Sequence, residues 1–191
     1  MPPDATDTKR RILVAADKEF SRYGLAGARV DRIAADARAN KRSIYVHFGP
    51  KEELFDLVVA QALLAISENV PFTLDDLPGY AGALFDYMMA DPSILRLITW
   101  AGLERPEATD AEVRTYAPKV TALSDRYGPS GADVLALMLG LVTAWPAASP
   151  ALRAHASGEP WSKGRLRTHR ALMTSAVRAL AATAQSAASG R

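Results

Sequence analysis

The helical spacing of apolar residues over nearly the whole chain is the feature that most limits what this sequence can fold into. Apolar residues recur every three or four positions from the first stretch onward, at Ile12, Ala15, Ala16, Phe20 and Tyr23. Similar stretches follow, divided by proline and glycine, and none alternates apolar and polar residues as a strand would. The sequence therefore predicts an all-α protein of about nine helices.

Capping and stop signals divide this periodicity into separate helices. Gly24 ends the first helix, Asn40 is a good N-cap for the third, and Gly49 followed by Pro50 separates the third from the fourth. Pro118 should kink or split the seventh helix. The predicted helices after the first cover residues 30–37, 41–48, 50–69, 75–90, 92–104, 110–127, 131–145 and 162–185. Residues 146–161 are predicted to form a loop with room for one short helical turn.

Composition excludes several classes of protein. The apolar share of 49% is typical of a globular chain and unlike that of a disordered one. No apolar run reaches the roughly 20 residues that cross a bilayer, and the polar start is unlike a signal peptide, so we expect a cytoplasmic protein. There is no cysteine, and the three histidines have no carboxylate pair at metal-ligand spacing. We therefore expect no metal, no cofactor and no catalytic thiol.

Basic charge is concentrated in one part of the chain. A net charge of +2 is too small to indicate nucleic-acid binding by itself. Between residues 29 and 51, however, six basic residues stand against the two acidic residues Asp31 and Asp36. The basic residues are Arg29, Arg32, Arg38, Lys41, Arg42 and Lys51.

This basic segment has the layout of a helix-turn-helix motif, at about residues 29–48. Two short helical patterns are separated by a break at residues 38–40, and Ile44 and Phe48 would hold the second helix against the rest. A single helix fits the major groove of B-DNA, where polar and basic side chains reach the base edges. The outward-facing candidates are Lys41, Arg42, Ser43, Tyr45 and His47.

The order and spacing of three separated motifs resemble the TetR family of bacterial regulators. The motifs are Lys9-Arg10-Arg11-Ile12-Leu13 with Phe20 and Tyr23-Gly24, then Val30-Asp31-Arg32-Ile33-Ala34, then Lys41-Arg42-Ser43-Ile44-Tyr45-Val46-His47-Phe48-Gly49-Pro50-Lys51-Glu52-Glu53-Leu54. The resemblance covers about a third of the chain, roughly residues 6–66. It implies a three-helix DNA-binding head over residues 6–66 and a ligand-binding and dimerisation body over residues 67–191.

The resemblance also implies roles by position. Two heads of a homodimer would enter successive major grooves of a pseudo-palindromic operator. Lys41, Ser43 and His47 would contact bases or nearby phosphates, and Tyr45 and Lys51 would contact phosphates. A single histidine on a short helix is also compatible with a hydrogen-bonded surface group.

Two positions depart from the family pattern. Arg38 stands where the turn commonly has glycine, and because a bulky residue is disfavoured in a left-handed conformation we expect a differently built turn. Ala28 or Arg29 stands where a threonine or serine usually caps the second helix, so we expect a weaker cap and a phosphate contact from Arg29. Arg32 and Arg38 are interpreted as solvated or paired surface groups rather than base readers.

Large soft side chains in the body form a candidate effector pocket. They are Phe85, Tyr87, Met88, Trp100, Leu103, Tyr116, Met138 and Trp145. A stripe of this kind is also what an ordinary core looks like, so both interpretations stay open. The low charge of these helices favours an apolar or aromatic effector, unless Arg96 and Glu104 point inward.

The family resemblance assigns dimerisation to the last two long helices. The first of these, residues 134–145, is apolar on nearly all sides. The last helix opens with the basic residues Lys163, Arg165, Arg167 and Arg170, for which a solvated or acid-paired face is favoured over a DNA role. The combined hypothesis is a repressor released when an effector swings the fourth helix. The alternative is a DNA-binding or interaction protein of the same fold without ligand control. An enzyme is excluded, because no nucleophile-elbow serine, phosphate loop or metal cluster is present.

Overall fold

Our computed structural model describes residues 5–189, and in this part of the chain helices are joined by turns and loops with no strand. The helices are α1 (Ala5–Gly27), α2 (Val30–Asp36), α3 (Lys41–Phe48), α4 (Lys51–Asn69), α5 (Leu77–Ala90), α6 (Pro92–Glu104), α7 (Asp110–Tyr127), α8 (Gly131–Ala147), α9 (Pro150–Ala154) and α10 (Lys163–Ser189). Short 3-10 turns at Leu74–Asp76 and Gly128–Ser130 precede α5 and α8. The predicted all-α class is confirmed, and α9 is the short turn expected within the loop at 146–161.

Several predicted helix ends differ from the observed ones by a few residues; the end of α10, for example, was predicted at residue 185 and lies at Ser189. Gly24 interrupts the helical backbone of α1 with a φ of 67°, in agreement with its predicted role as a helix end, and a short further helical segment continues to Gly27. Helix α4 begins one residue later than predicted, because Pro50 precedes it and accepts a hydrogen bond from the Leu54 N–H (3.2 Å). Pro118 does not divide α7. Because proline has no N–H, the Arg114 carbonyl one turn earlier loses its helical hydrogen bond, but Arg114 and Pro118 are both exposed to water.

The first of two compact units comprises the described residues up to 65 together with residues 91–113. Its core is formed where α1, α2, α3 and α4 meet, and Ile12, Phe20, Ile33 and Ile44 are fully buried there. The Phe20 and Phe55 rings pack edge to face with centroids 5.0 Å apart, which fastens α1 to α4. This arrangement leaves the outer face of α3 free of the core.

Helix α6 belongs to the same unit and packs on α1. The Glu104 carboxylate accepts hydrogen bonds from the Leu25 and Ala26 N–H groups, which follow the break at Gly24. The Trp100 ring covers Gly24 so closely that a Cβ atom there would lie 2.8 Å from it. Arg105, just beyond α6, pairs with Asp56 of α4 at 2.7 Å. These contacts hold α6 against both α1 and α4.

The second unit comprises residues 66–90 and the described residues from 114 onward. Helices α5, α8 and α10 pack against one another, and their meeting faces supply most of the buried core. The buried side chains include Leu84, Phe85, Met138, Val142, Trp145, Met173 and Val177. Arg126 of α7 donates to the Leu74 carbonyl (2.8 Å) and pairs with Asp75 (2.7 Å). These contacts join α7 to the 3-10 turn that precedes α5.

Candidate nucleic-acid interface

The turn between α2 and α3 is held by backbone hydrogen bonds of the Schellman type. The Ala39 N–H donates to the Ala34 carbonyl (2.9 Å), and the Arg38 N–H donates to the Ala35 carbonyl (3.1 Å). This pattern places the residue after the helix cap in a left-handed conformation, and Arg38 has a φ of 49°. The expectation of a differently built turn was wrong: Arg38 adopts the conformation that glycine would take more readily.

A carboxylate from α1 caps the start of α2. Arg29 occupies the N-cap and its side chain makes no capping bond, as expected, but its N–H donates to Glu19 at 2.8 Å. The same carboxylate accepts from Arg32 Nε at 2.7 Å. Glu19 is only 8% exposed, although the amphipathic pattern of α1 places it among polar residues. Arg32 is therefore a paired surface group, as predicted, and it ties α2 to α1.

Helix α3 is terminated at both ends by the signals read from the sequence. The Asn40 side chain accepts a hydrogen bond from the Arg42 N–H at 2.8 Å, which confirms the predicted N-cap. At the other end Gly49 has a φ of 71°, a region that is open to glycine, and its N–H donates to the Tyr45 carbonyl. Of the eight residues, only Ile44 is fully buried, and it fixes the helix to the core.

The outer face of α3 presents most of the predicted DNA-contacting side chains together. Lys41, Arg42 and His47 are exposed, Tyr45 is 47% exposed and Ser43 is half-buried. Val46, which we did not select from the sequence, is 69% exposed on the same short helix. Its position next to Tyr45 was the available signal, because an apolar side chain on such a face suits contact with a thymine methyl group.

Two of the predicted contact residues are held by neighbours. Lys41 Nζ lies 2.9 Å from the Asp31 carboxylate of α2, and the hydrogen bond to that group raises the pKa of Lys41. Lys51 is half-buried and donates to the Ala28 carbonyl at 3.3 Å, so the first turn of α4 is drawn toward the start of α2. Each ammonium group has further N–H donors beyond the one used here.

Charge on this surface is unevenly compensated. Of the six basic residues between 29 and 51, Arg32 and Lys41 are in ion pairs. Among the described residues, no carboxylate pairs with Arg29, Arg38, Arg42 or Lys51. This positive excess surrounds a helix whose polar side chains face outward, which is the arrangement that a polyanion such as DNA requires.

The residues predicted to line an effector pocket divide between the two compact units. Phe85, Met88, Met138 and Trp145 are buried in the second unit, and Tyr87 and Tyr116 of that unit are half-buried. Trp100 and Leu103 belong to the first unit, where Trp100 packs on Gly24 and Leu103 is 72% exposed. Glu104 and Arg96 also face α1 there: Arg96 Nε donates to the Ser21 carbonyl at 3.3 Å.

Two family profiles match this chain. The profile described as bacterial regulatory proteins of the tetR family matches residues 12–58, which include all of α2 and α3. The profile described as tetracyclin repressor-like, C-terminal domain, matches residues 76–179, more than half of the chain. The two matched regions follow each other in the order that the sequence motifs imply.

Individual proteins are similar to this chain over between about half and nine tenths of its length. The HTH-type transcriptional repressor SCO4008 of Streptomyces coelicolor is 47% identical over 126 residues, 64% of this chain and 66% of that protein. The HTH-type transcriptional repressor NicS of Pseudomonas putida is 31% identical over 108 residues, 53% of this chain and 51% of that protein. The matched segments thus span less than two thirds of either relative. The crystal structure of SCO4942 from Streptomyces coelicolor superimposes with a TM-score of 0.76 at 37% identity, covering 91% of this chain and 97% of that one.

Proposed function

The chain belongs to the TetR family of bacterial transcriptional regulators, and from that premise we propose that it represses transcription as an operator-bound homodimer until a small effector releases it. Members of this family are DNA-binding regulators and not enzymes. The observation that carries the proposal is the exposed, polar face of α3, which is capped at both ends and flanked by basic residues that have no ion-pair partner within residues 5–189. We infer a cytoplasmic location, where operator DNA is found.

On DNA, we assign two kinds of contact to this surface. Lys41, Ser43 and His47 contact base edges or the phosphates next to them, and Tyr45 and Lys51 contact phosphates. Arg42 on α3 and Arg29 before α2 add basic contacts at the margins. Phosphate contacts set register and affinity, whereas base contacts set sequence preference.

For the homodimer, we assign the interface to α8 and α10. Residues 110–147 form a helical stretch long and apolar enough to cross a membrane by length and composition, yet only a third of its most apolar window is buried within the chain. Leu137 of α8 is 56% exposed and Leu172 of α10 is 69% exposed. Small exposed residues, Ala136 and Gly140, flank Leu137 and would let a second copy approach closely.

The effector is assigned to the second compact unit, where Phe85, Met88, Met138 and Trp145 form an apolar core with aromatic character. Release follows if the effector favours a state in which α4 has moved and the two heads no longer match half-sites about 34–36 Å apart. Such coupling is reciprocal, so operator DNA must weaken effector binding by the same factor.

The test is a mobility shift of the purified protein on the intergenic DNA beside its own gene, with nonspecific competitor present. Tyr45→Ala and Lys51→Ala should each weaken the specific shift about tenfold or more. Lys51→Ala should also lower the salt slope of log K by about 0.9, because it removes a charge that neutralises a phosphate, whereas the loss of the neutral Tyr45 side chain should leave that slope unchanged. Arg114→Ala, which removes an exposed charge from α7, serves as the matched control and should leave the shift unchanged.

Two outcomes would contradict the proposal. Equal effects of Arg114→Ala and Lys51→Ala would indicate that α3 and the start of α4 are not the DNA-contacting surface. Binding that ignores the operator sequence and follows salt alone would favour the alternative, a DNA-binding protein of this fold without ligand control.

A further inference from the structure

Three helices of the second unit bring two aromatic rings and two basic side chains together. The His169 ring of α10 lies 5.6 Å, centroid to centroid, from the Phe85 ring of α5 and 5.6 Å from the Trp145 ring of α8. Arg165, one helical turn before His169, places its guanidinium carbon 4.3 Å from the centre of the Trp145 ring. We refer to Phe85, Trp145, Arg165 and His169 as the Trp145 cluster.

Two polar atoms of this cluster are covered and unused. Arg165 Nε and His169 Nε2 are both shielded from solvent, and neither has a hydrogen-bond partner among the described residues. A buried donor without an acceptor costs about 1–3 kcal/mol, and most buried polar atoms in proteins are paired. Burial, and to a smaller extent Arg165, lowers the pKa of His169, so its ring is neutral near pH 7 and can carry an N–H at Nε2.

The charge around the cluster is positive and uncompensated. The carboxylate of Asp86, which follows Phe85 in the chain, is already bound by Arg170 at 2.9 Å. Arg153 stacks on the Trp161 ring at 5.0 Å and donates to backbone carbonyls, among them that of Pro146 at 3.0 Å. Within residues 5–189, neither Arg153 nor Arg165 has a carboxylate partner. A charge held in such a place without a counter-ion is stabilised by an anion.

The walls of the cluster are aromatic. Phe85 is 2% exposed and Trp145 is 7% exposed, so both rings are packed and rigid. The loop after α9 holds the outer wall in place, because the Trp145 indole N–H donates to the Pro160 carbonyl at 3.0 Å. Residues 157–159 of that loop are exposed.

We propose that the Trp145 cluster binds the effector, and that the effector is an aromatic carboxylate. Its carboxylate accepts hydrogen bonds from Arg165 Nε and His169 Nε2, and its ring packs against Phe85 and Trp145. The inference rests on the proposed function, because it identifies the ligand class of the regulator described above. It changes the expectation from sequence, which was an apolar or aromatic effector without strong charge.

The experiment uses the full chain without DNA and compares acids with their neutral amides by titration calorimetry. The probes are benzoate and 1-naphthoate, with benzamide and 1-naphthamide as the matched neutral compounds. At least one acid should bind tenfold or more tightly than its amide, because only the acid offers a charge-assisted acceptor. Arg165→Met should weaken that acid at least tenfold, and Arg167→Met, an exposed neighbour on α10, should leave it unchanged.

Several results would overturn the inference. These are the absence of binding by both acids, equal binding of acids and amides, and an acid affinity that Arg165→Met leaves unchanged. Thermal unfolding shows whether each variant is folded. If Arg165→Met is not, His169→Phe decides the question, because it removes the second donor and keeps the aromatic packing; acid affinity unchanged in His169→Phe overturns the inference.

The same protein preparation is also tested on operator DNA, so that the two proposals fail separately. A protein that shifts its operator specifically but binds neither acid keeps the repressor function and overturns the effector assignment. A protein that binds 1-naphthoate through Arg165 but shows no specific shift keeps the site and overturns the repressor function.

Discussion

The turn between α2 and α3 and the Trp145 cluster differ in how far their polar groups are hydrogen-bonded. At the turn, Ala39 and Arg38 donate to backbone carbonyls, Asn40 caps α3, and Glu19 caps α2. In the cluster, Arg165 Nε and His169 Nε2 are covered and have no partner within the described residues. A fully paired site is rigid and presents its outer side chains in one geometry, whereas a site with unused donors is suited to receive an acceptor from outside.

The largest expected effect tests how far the head depends on Glu19. Glu19→Ala should lower the free energy of unfolding by about 2–3 kcal/mol, because the Arg29 N–H and Arg32 lose a buried acceptor together. Urea unfolding measures it, with Glu52→Ala, an exposed carboxylate in the first turn of α4, as the control. If Glu19→Ala and Glu52→Ala lowered the free energy of unfolding equally, Glu19 would have no special part in holding the head rigid.

A smaller effect tests the cap of α3. Asn40→Ala should cost about 1 kcal/mol, because the Arg42 N–H then loses its side-chain acceptor at the helix start. Asn40→Asp should retain most of the stability, since a carboxylate accepts the same bond. Thermal unfolding of the three proteins compares them, and identical melting of Asn40→Ala and the parent would mean that water replaces the cap.

A substitution at Arg38 is expected to stabilise the turn rather than weaken it. Arg38→Gly should raise the free energy of unfolding by up to about 1 kcal/mol, because glycine adopts a φ of 49° without the penalty of a Cβ atom. The gain is reduced by the greater freedom of glycine in the unfolded chain. Arg38→Ala is the matched comparison, which keeps the Cβ atom and loses the charge; a rise with alanine equal to that with glycine would assign the effect to charge.

The smallest expected effect concerns the pH dependence of the Trp145 cluster. The pKa of His169 is lowered from 6.5 by burial and by Arg165, so the unfolded chain binds a proton more readily than the folded one. The neutral His169 ring therefore makes its full contribution to the free energy of unfolding above pH 6.5, and this contribution is lost as the pH falls through the lower pKa of His169 in the folded protein. The melting temperature of the parent should fall more between pH 7 and pH 5 than that of His169→Gln. Equal falls in the two proteins would show that His169 does not titrate during unfolding.

Local signals allowed much of the DNA-binding head to be predicted. Asn40 and Gly49 mark the ends of α3 through bonds to residues within four positions along the chain, and the structure confirms both. The role of Glu19 was missed because its partners, Arg29 and Arg32, lie ten and thirteen residues away on another helix. A helical pattern shows which face a residue occupies, but not which neighbouring helix covers it.

The second unit was predicted less completely for the same reason. Phe85 and Trp145 were selected from the sequence because they are large and aromatic, whereas Arg165 and His169 were interpreted as parts of an ordinary basic face or left unassigned. Their meeting depends on the packing of α5, α8 and α10, which are separated by tens of residues. Trp100, also selected from the sequence, packs against Gly24 of α1, a contact that no local pattern indicates.

The sequence by itself determined the all-α class, the helix-turn-helix layout and the outward face of α3, because helix periods and caps depend on residues close together in the chain. Only the tertiary structure decided that Glu19 is a buried cap, that α6 packs on α1, and that Arg165 and His169 meet between aromatic walls. Those outcomes depend on contacts between distant segments, and their energies come from burial and pairing that no local pattern records.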